Sequence, residues 1–303
     1  MIEKTWFEGI NDYKKCTLTY GDDGKLLHFH TELREVERMD TTDIYEILNI
    51  HLSQRQTKTV EVCYSGGVDS EVVLLSCIHN KIPVRAITMR IHYNNMLINT
   101  HDIFYSEKFC RENHIEQKFI DFDYVKIGES GEYLKLLSPY NIKIASAAPH
   151  LWMLSQLSGY VVMGGDYSWP WIVKPVISPY KHSFNMNNQF MKDHGIHGIS
   201  NMLSHSIDSN LHFIKSHVVV YDHEKHNPSE RLKVSRLKSE VYQHAGFTVE
   251  PRIKASGLES IPPGDYNAQC IELFGDSVSS VSWGDSISEI IESGSIRYND
   301  KSD

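Results

Sequence analysis

Residues 60–75 join a short apolar segment, a glycine-rich turn and a second apolar segment, and they restrict the local fold more strongly than any other part of the chain. Val60, Val62 and Tyr64 predict a buried strand, and the near-helical spacing of apolar residues after position 70 predicts a helix. Two adjacent glycines let the backbone approach an anion closely, and a helix N-terminus offers N–H donors and a positive dipole end. The segment is therefore predicted to bind phosphate.

The side chains of this turn support the same interpretation. Ser65 and Ser70 add hydroxyl donors, whereas Asp69 places a carboxylate beside the predicted phosphate site. A carboxylate repels a phosphate unless a cation lies between them, so the sequence predicts Mg²⁺ at Asp69. The alternative is an ordinary strand-to-helix turn in which Asp69 only caps the helix. The turn has neither the Gly-Lys-Ser/Thr of a Walker A loop nor the third glycine of a dinucleotide-binding fingerprint.

The whole string Ser65-Gly66-Gly67-Val68-Asp69-Ser70 resembles the PP-loop of the N-type ATP pyrophosphatases. That superfamily includes asparagine synthetase, GMP synthetase, NAD synthetase and the tRNA thiolation enzymes, and the resemblance extends over about residues 58–260. It implies an α/β domain that binds ATP and Mg²⁺, adenylates a second substrate and releases pyrophosphate. A nitrogen or sulfur nucleophile then displaces AMP. The resemblance implies that the nucleotide is held by Ser65, Gly66, Gly67, Val68 and Ser70.

Strand and helix patterns alternate after this loop. Strands are predicted at 84–89, 117–122 and 159–163, and helices at 103–113 and 145–157. Such alternation predicts a parallel, Rossmann-like sheet of the HUP type with helices on both faces. Ligands of such sheets bind at the carboxyl ends of the strands, so functional residues are expected directly after each strand.

The chain is expected to have three parts: residues 1–57, residues 58–260 and residues 261–303. The first is a small antiparallel appendage, with a hairpin at 12–33 and a helix at 41–52. The second is the PP-loop domain, and the third is a C-terminal extension that is partly flexible.

Two further strand ends carry candidate residues. The resemblance implies that Met89 and Arg90 bind the adenine and ribose, with a surface charge as the alternative for Arg90. After the fourth predicted strand, Gly165 is expected near the nucleotide and Asp166 as a second Mg²⁺ ligand. The alternative there is a common Gly-Gly-Asp turn.

Arg252 and Lys254 form the last candidate pair. Residues two apart in an extended segment point to the same side, so both cations are predicted to clamp the terminal phosphates and stabilise the leaving pyrophosphate. A solvated basic edge is the alternative. Trp169 and Trp171, which follow Asp166 in the sequence, either line a pocket for a planar or apolar substrate or pack a loop.

Composition narrows the function class. The 303 residues carry a net charge of −9, which does not indicate a large nucleic-acid footprint, although a local basic patch at 225–254 keeps RNA open as an acceptor. No apolar segment approaches the roughly 20 residues that a membrane span needs. The N-terminus lacks a signal-peptide pattern.

The five cysteines are scattered and form no Cys-x-x-Cys pair, which predicts a reducing, cytoplasmic location and argues against a zinc or iron–sulfur site.

These observations predict an ATP pyrophosphatase that adenylates an unidentified small-molecule or nucleic-acid acceptor for attack by a nitrogen nucleophile. Ammonia would arrive free or from a separate donor, because residues 1–57 are too short for a glutaminase domain. An assembly of identical copies is compatible with the sequence. The alternatives are a sulfur-transfer or sulfonucleotide-type enzyme with the same loop, and a nonenzymatic ATP-binding module.

Overall fold

The computed structural model describes most of the chain between residues 59 and 252. The described residues are 16–20, 27–32, 44–53, 59–140, 147–165, 171–172, 176–178, 187, 190–200, 202–204, 209, 212–213, 216, 220, 231–252, 256–258 and 261.

The strands fall into two sheets. In chain order they are β1 (Cys16–Tyr20), β2 (Leu27–Glu32), β3 (Val60–Cys63), β4 (Val84–Tyr93), β5 (Met96–Leu97), β6 (Glu116–Asp123), β7 (Tyr160–Met163), β8 (Trp171–Ile172), β9 (Val176–Ser178) and β10 (Gly198–Ile199). Among the described residues the larger sheet has six strands in the order β10-β7-β3-β4-β5, with β6 paired to β4. The pairs β10–β7, β7–β3, β3–β4 and β4–β6 are all parallel, and only the short β5 runs antiparallel to β4.

Helices cover both faces of this sheet. In chain order they are α1 (Ile44–Ser53), α2 (Val68–His79), α3 (Thr100–Glu112), α4 (Tyr124–Glu129), α5 (Glu132–Leu137), α6 (Ala147–Ser155) and α7 (Arg231–His244). One core joins buried residues of α1, α2, α3 and α7 to one side of the strands. A second core joins α4, α5 and α6 to the opposite side.

The central strand β3 shows why these residues form this layer structure. Its four residues are all buried, as expected for a strand with helices on both faces. Val60 and Val62 enter the first core, whereas Cys63 enters the second, because successive side chains point to opposite sides. The one carboxylate in β3, Glu61, accepts a hydrogen bond from the Gly159 backbone N–H at 3.1 Å.

The predicted α/β class with a mostly parallel sheet is confirmed, and each predicted strand after residue 58 is present within one residue of its predicted bounds, except β4, which extends four residues further. The hairpin β1–β2 is also present. Its surroundings were not foreseen, since β2 pairs with β9 in a four-stranded sheet of order β1-β2-β9-β8. The appendage therefore includes strands from 171–178, and the boundaries 1–57, 58–260 and 261–303 stay predictions.

Within the described part of the chain, no helix combines the length and apolar character required to cross a bilayer.

We expect the second core to respond strongly to truncation at Phe122, whose side chain is fully buried. Phe122→Ala should lower the free energy of unfolding by about 3–5 kcal/mol, because it removes a large apolar side chain and leaves a cavity. The matched control is Phe104→Ala, since Phe104 is 61% exposed and should change stability by no more than about 0.5 kcal/mol. Urea denaturation measures both, and equal losses for the two variants would contradict this assignment of the core.

Candidate functional site

The turn between β3 and α2 is stabilised by hydrogen bonds to its own side chains. The Gly67 N–H donates to Ser65 Oγ at 3.2 Å, and Ser70 Oγ donates to the Gly67 carbonyl oxygen, also at 3.2 Å. Gly67 is the N-cap of α2, and no side chain caps the helix. The first N–H groups of a helix have no partner within it. The N-terminus of α2, from Val68 onward, is therefore suited to an anion.

Gly66 is required where the loop passes α3. It has φ +93, in the left-handed region, and a Cβ at this position would overlap the backbone carbonyl oxygen of Asp102. The loop backbone thus packs directly on the first turn of α3, which explains the first glycine of the motif by close approach as well as by conformation.

The end of β7 reaches the same point from the other side. A Cβ on Gly164 would lie 3.0 Å from backbone atoms of Asp69 and Ser70, so this glycine packs against the first turn of α2. Gly165, which follows, is exposed and has φ +67. The structure therefore brings the ends of β3 and β7 together. Asp166 lies outside the described residues, and its role as a metal ligand stays a prediction.

The carboxylate of Asp69 is approached by two side chains of α7. Lys238 Nζ lies 2.7 Å from both carboxylate oxygens, and the Tyr242 hydroxyl donates a short hydrogen bond to Oδ1. Lys238 and Tyr242 are four residues apart, so one face of α7 presents both to the loop. The side chains of Asp69 and Lys238 keep 24% and 12% of their exposure, which leaves them accessible from solvent.

Asp69 is suitable for Mg²⁺. This ion takes oxygen ligands and is commonly held by one or two carboxylates together with substrate phosphates and water. Asp69 lies in the first turn of α2, beside the donors of Val68 and Ser70 that would face a phosphate. No cluster of three or more metal-ligating side chains occurs among the described residues. Among the described residues, Asp69 is therefore the carboxylate that would hold Mg²⁺, and phosphate oxygens would supply further ligands.

A second acid in the same turn, Glu71, forms a buried ion pair with Arg252. The two side chains are 4% and 5% exposed, and Arg252 Nη2 contacts Glu71 Oε2. Tyr64 donates to the same oxygen at 2.8 Å. Burial, and then the Glu71 charge, raises the pKa of Tyr64 well above its usual value, which keeps this hydroxyl a donor. The guanidinium also lies over the Tyr105 ring, 5.1 Å from its centroid.

Arg252 therefore holds the segment after α7 against α2 and α3. Nearby, Lys108 pairs with Glu250 at 2.8 Å, and Gly257 packs on the Ile98 carbonyl. The predicted contact of Arg252 with pyrophosphate stays a prediction, because here its guanidinium is occupied by Glu71. Lys254 lies outside the described residues.

The predicted adenine and ribose residues have other partners. The Met89 carbonyl accepts from Asn99 Nδ2 at 2.8 Å, and Asn99 Oδ1 accepts from the Ile91 N–H at 2.9 Å. The buried Asn99 side chain thus makes the hydrogen bonds to the end of β4 that the backbone of a neighbouring strand would otherwise make. Arg90 is 41% exposed and contacts both carboxylate oxygens of Asp121, at 2.8 and 2.6 Å. This placement agrees with the surface-charge alternative for Arg90, whose nucleotide role stays a prediction.

The described cysteines beside the site are poor nucleophiles. Cys63, Cys77 and Cys110 are buried. Burial, followed by the nearby Glu61 charge, raises the pKa of Cys63 to about 12. Burial and then the charge of Glu71 raise the pKa of Cys110 to about 12. Since the thiolate is the reactive form, these thiols are unreactive near neutral pH.

Four residues of this site, Lys238, Tyr242, Glu71 and Asn99, were assigned no role from the sequence. The first two had a detectable signal in their spacing of four residues, which puts them on one face if the segment is helical. Nothing in the sequence indicated that this helix lies over Asp69.

We expect Gly66→Ala to destabilise the protein more than a glycine substitution that introduces backbone strain alone. The control is Gly131→Ala, because Gly131 has φ +73 but a Cβ there meets nothing within 4 Å. The control should cost about 1–2 kcal/mol from its left-handed backbone, and Gly66→Ala more, since Asp102 must also move. Urea denaturation of both variants measures the difference; a smaller loss for Gly66→Ala would contradict the packing described.

The Glu71–Arg252 pair predicts a compensating double variant. Arg252→Met should lower the free energy of unfolding by about 3–5 kcal/mol, because it leaves a buried carboxylate without its cation. Adding Glu71→Gln should recover most of this loss, since a neutral amide still accepts from Tyr64. A double-mutant cycle in urea measures the coupling. Simple additivity of the two substitutions would show that the pair does not form.

Comparison with known proteins gives structural matches only. No protein-family model matches the chain, and no curated protein matches it. A predicted subunit of a tRNA methyltransferase from Methanocaldococcus jannaschii is 16% identical, with a TM-score of 0.33, over 52% of this chain and 75% of that chain. A U34-tRNA thiolase from Methanococcus maripaludis is 14% identical, with a TM-score of 0.35, over 76% and 78% of the two chains. An NMN synthetase from Francisella tularensis is 11% identical, with a TM-score of 0.27, over 73% of this chain and 99% of that chain.

Proposed function

We propose that this chain binds ATP with Mg²⁺ at the Ser65–Ser70 loop and uses it to adenylate a second substrate, with release of pyrophosphate. The observation that carries the proposal is the glycine N-cap of α2, which no side chain caps, at the carboxyl end of the central parallel strand. The full PP-loop string forms this turn, and a carboxylate and an ammonium group lie beside it.

The geometry supports binding of the pyrophosphate part of the nucleotide. The N–H groups of Val68 and Ser70 and the positive end of the α2 dipole would face the phosphate oxygens. The Ser65 and Ser70 hydroxyls already hold the Gly67 peptide in place, so the loop needs little rearrangement on binding. Mg²⁺ held by Asp69 would neutralise charge on the phosphate oxygens. Catalysis then rests on positioning and charge stabilisation.

The reaction in this proposal has two steps. An oxygen of the acceptor attacks the α-phosphorus, and the bond from that phosphorus to the β-phosphate oxygen breaks, so that pyrophosphate leaves with the bonding electrons. A nitrogen nucleophile then attacks the carbon that carries the adenylated oxygen and displaces AMP. Lys238, beside Asp69, is placed to balance negative charge on the departing pyrophosphate.

Nitrogen is preferred over sulfur because the described cysteines near the loop are buried, and the raised pKa values of Cys63 and Cys110 keep these two thiols protonated. The proposal includes free ammonia or ammonia from a separate donor, and an acceptor that is a small molecule or an RNA. It also places the protein in the cytoplasm, where such thiols stay reduced.

We expect Asp69→Asn to abolish Mg-dependent turnover while the fold is kept. The isosteric amide removes the negative charge that holds the cation, so AMP and pyrophosphate formation should fall by about 100- to 1,000-fold. The measurement is AMP and pyrophosphate released from radiolabelled ATP, with circular dichroism as the check on folding. Glu129→Gln makes the same chemical change at an exposed position away from the loop and should leave the rate unchanged.

Titration calorimetry with ATP and Mg²⁺ tests the binding step alone. Absence of binding to the unaltered protein would refute the proposal, whereas binding without AMP formation against any acceptor would favour the nonenzymatic ATP-binding alternative. A panel of carboxylic acids, nucleobases and tRNA, scored by AMP release in the presence of ammonium, would identify the acceptor class.

A further inference from the structure

The contact between Lys238 and Asp69 occupies the place where a cation would bind. Lys238 Nζ lies 2.7 Å from each carboxylate oxygen, so the ammonium group is centred on the open edge of the carboxylate. The Tyr242 hydroxyl fills a further acceptor position on Oδ1. Both donors come from α7, about 170 residues later in the chain, and the hydrophobic core holds this helix through Val241 and Tyr242.

A divalent cation at Asp69 cannot share this edge with an ammonium group. Mg²⁺ would lie about 2.0–2.1 Å from a carboxylate oxygen, and like charges separated by only a few ångströms repel strongly in a partly buried site. Tyr242 is different, because its hydroxyl is a neutral donor to Oδ1. It can keep its hydrogen bond while a metal uses the other lone pairs.

Lys238 has a nearby destination when it leaves Asp69. Its ammonium group ends a flexible four-carbon stem, and Asp69 lies in the first turn of α2, at the N–H donors that would face the phosphates. We expect the move from the carboxylate to a phosphate oxygen to need rotation of this side chain only. The helix α7 is packed in the first core through Tyr242, and the Arg252–Glu71 pair holds the segment after it.

We infer that Lys238 is an exchangeable counter-ion of the loop: it neutralises Asp69 while no metal is bound and transfers to a phosphate oxygen when Mg-ATP arrives. This inference rests on the proposed function. Its consequence is that metal alone binds weakly and that metal and nucleotide bind together, since nucleotide provides the new partner that lets Lys238 release the carboxylate. The site is thereby protected from binding Mg²⁺ without its substrate.

The test uses Mn²⁺ as a paramagnetic substitute for Mg²⁺, with free Mn²⁺ followed by electron paramagnetic resonance. Lys238→Met should bind Mn²⁺ without nucleotide at least about tenfold more tightly than the unaltered chain, because a competing positive charge is gone. The same variant should bind ATP·Mn²⁺ about tenfold more weakly, because it lacks a charged donor to phosphate. Opposite changes in two affinities are expected only from an exchangeable counter-ion. A purely structural lysine would weaken both.

Three further variants complete the test. Lys126→Met is the matched control, since Lys126 is 72% exposed and pairs with Asp123 away from the loop; both affinities should be unchanged. Lys238→Arg keeps the charge and should leave Mn²⁺ binding without nucleotide within about twofold of the original. Lys238→Gln likewise removes the positive charge and should raise Mn²⁺ affinity without nucleotide as Lys238→Met does. It also serves as the independent reading if Lys238→Met does not fold.

Unchanged or weaker Mn²⁺ binding by Lys238→Met without nucleotide would overturn the inference. If Lys238→Met is unfolded, unchanged or weaker Mn²⁺ binding by Lys238→Gln would overturn it in the same way. The proposed function fails by a different result, namely absence of ATP·Mn²⁺ binding by the unaltered protein. Cooperative binding of metal and nucleotide that persists unchanged in Lys238→Met would support the proposed function and reject the role given to Lys238.

Discussion

The central strand β3 is hydrogen-bonded in parallel along both edges, to β4 on one side and to β7 on the other. The position of the candidate site follows from this pairing. Because the chain passes from β3 to β4 on one side and later returns from β6 to β7 on the other, the carboxyl end of β3 opens into the crevice that such sheets use for ligands. The Ser65–Ser70 turn lies at that end, and Gly164 at the end of β7 packs against the same helix turn. If this loop followed an edge strand, a neighbouring strand would lie beside it on one side only.

Charge balance in the first turn of α2 depends on the C-terminal part of the domain. The negative charges of Asp69 and Glu71 both interact favourably with the positive end of the α2 dipole, but they would repel a phosphate. Lys238 compensates the first and Arg252 the second, and the two cations come from α7 and from the segment directly after it. The accessibility of the two pairs differs, which separates their roles. Glu71 and Arg252 are buried and hold elements together, whereas Asp69 and Lys238 remain partly exposed and available for exchange.

Much of the fold could be predicted because its signals are local. The apolar β3 segment, the two glycines and the apolar spacing of α2 each follow from a few adjacent residues, and the alternation of strands and helices then limits the sheet to a parallel arrangement. The pairing of β2 with β9 could not be predicted in this way, because an antiparallel pair across more than 140 residues leaves no local pattern. Asn99 was missed for a related reason. Its side chain replaces a backbone partner of β4, and only the final register shows that such a partner is missing.

The site divides along the same line. The Ser65–Ser70 loop, the helix after it and the carboxylate Asp69 were predicted from the sequence alone, since a motif of six adjacent residues contains both the conformational requirement of the turn and its polar side chains. The tertiary structure alone decided which cation faces which acid. Arg252 and Lys238 were both available as basic residues in the sequence, and their separation along the chain does not distinguish them. The helix α7 packs on the first core and places Lys238 at Asp69. The segment after α7 continues to the buried Glu71, where Arg252 pairs with it. The two cations reach different acids because Asp69 lies nearer the surface than Glu71.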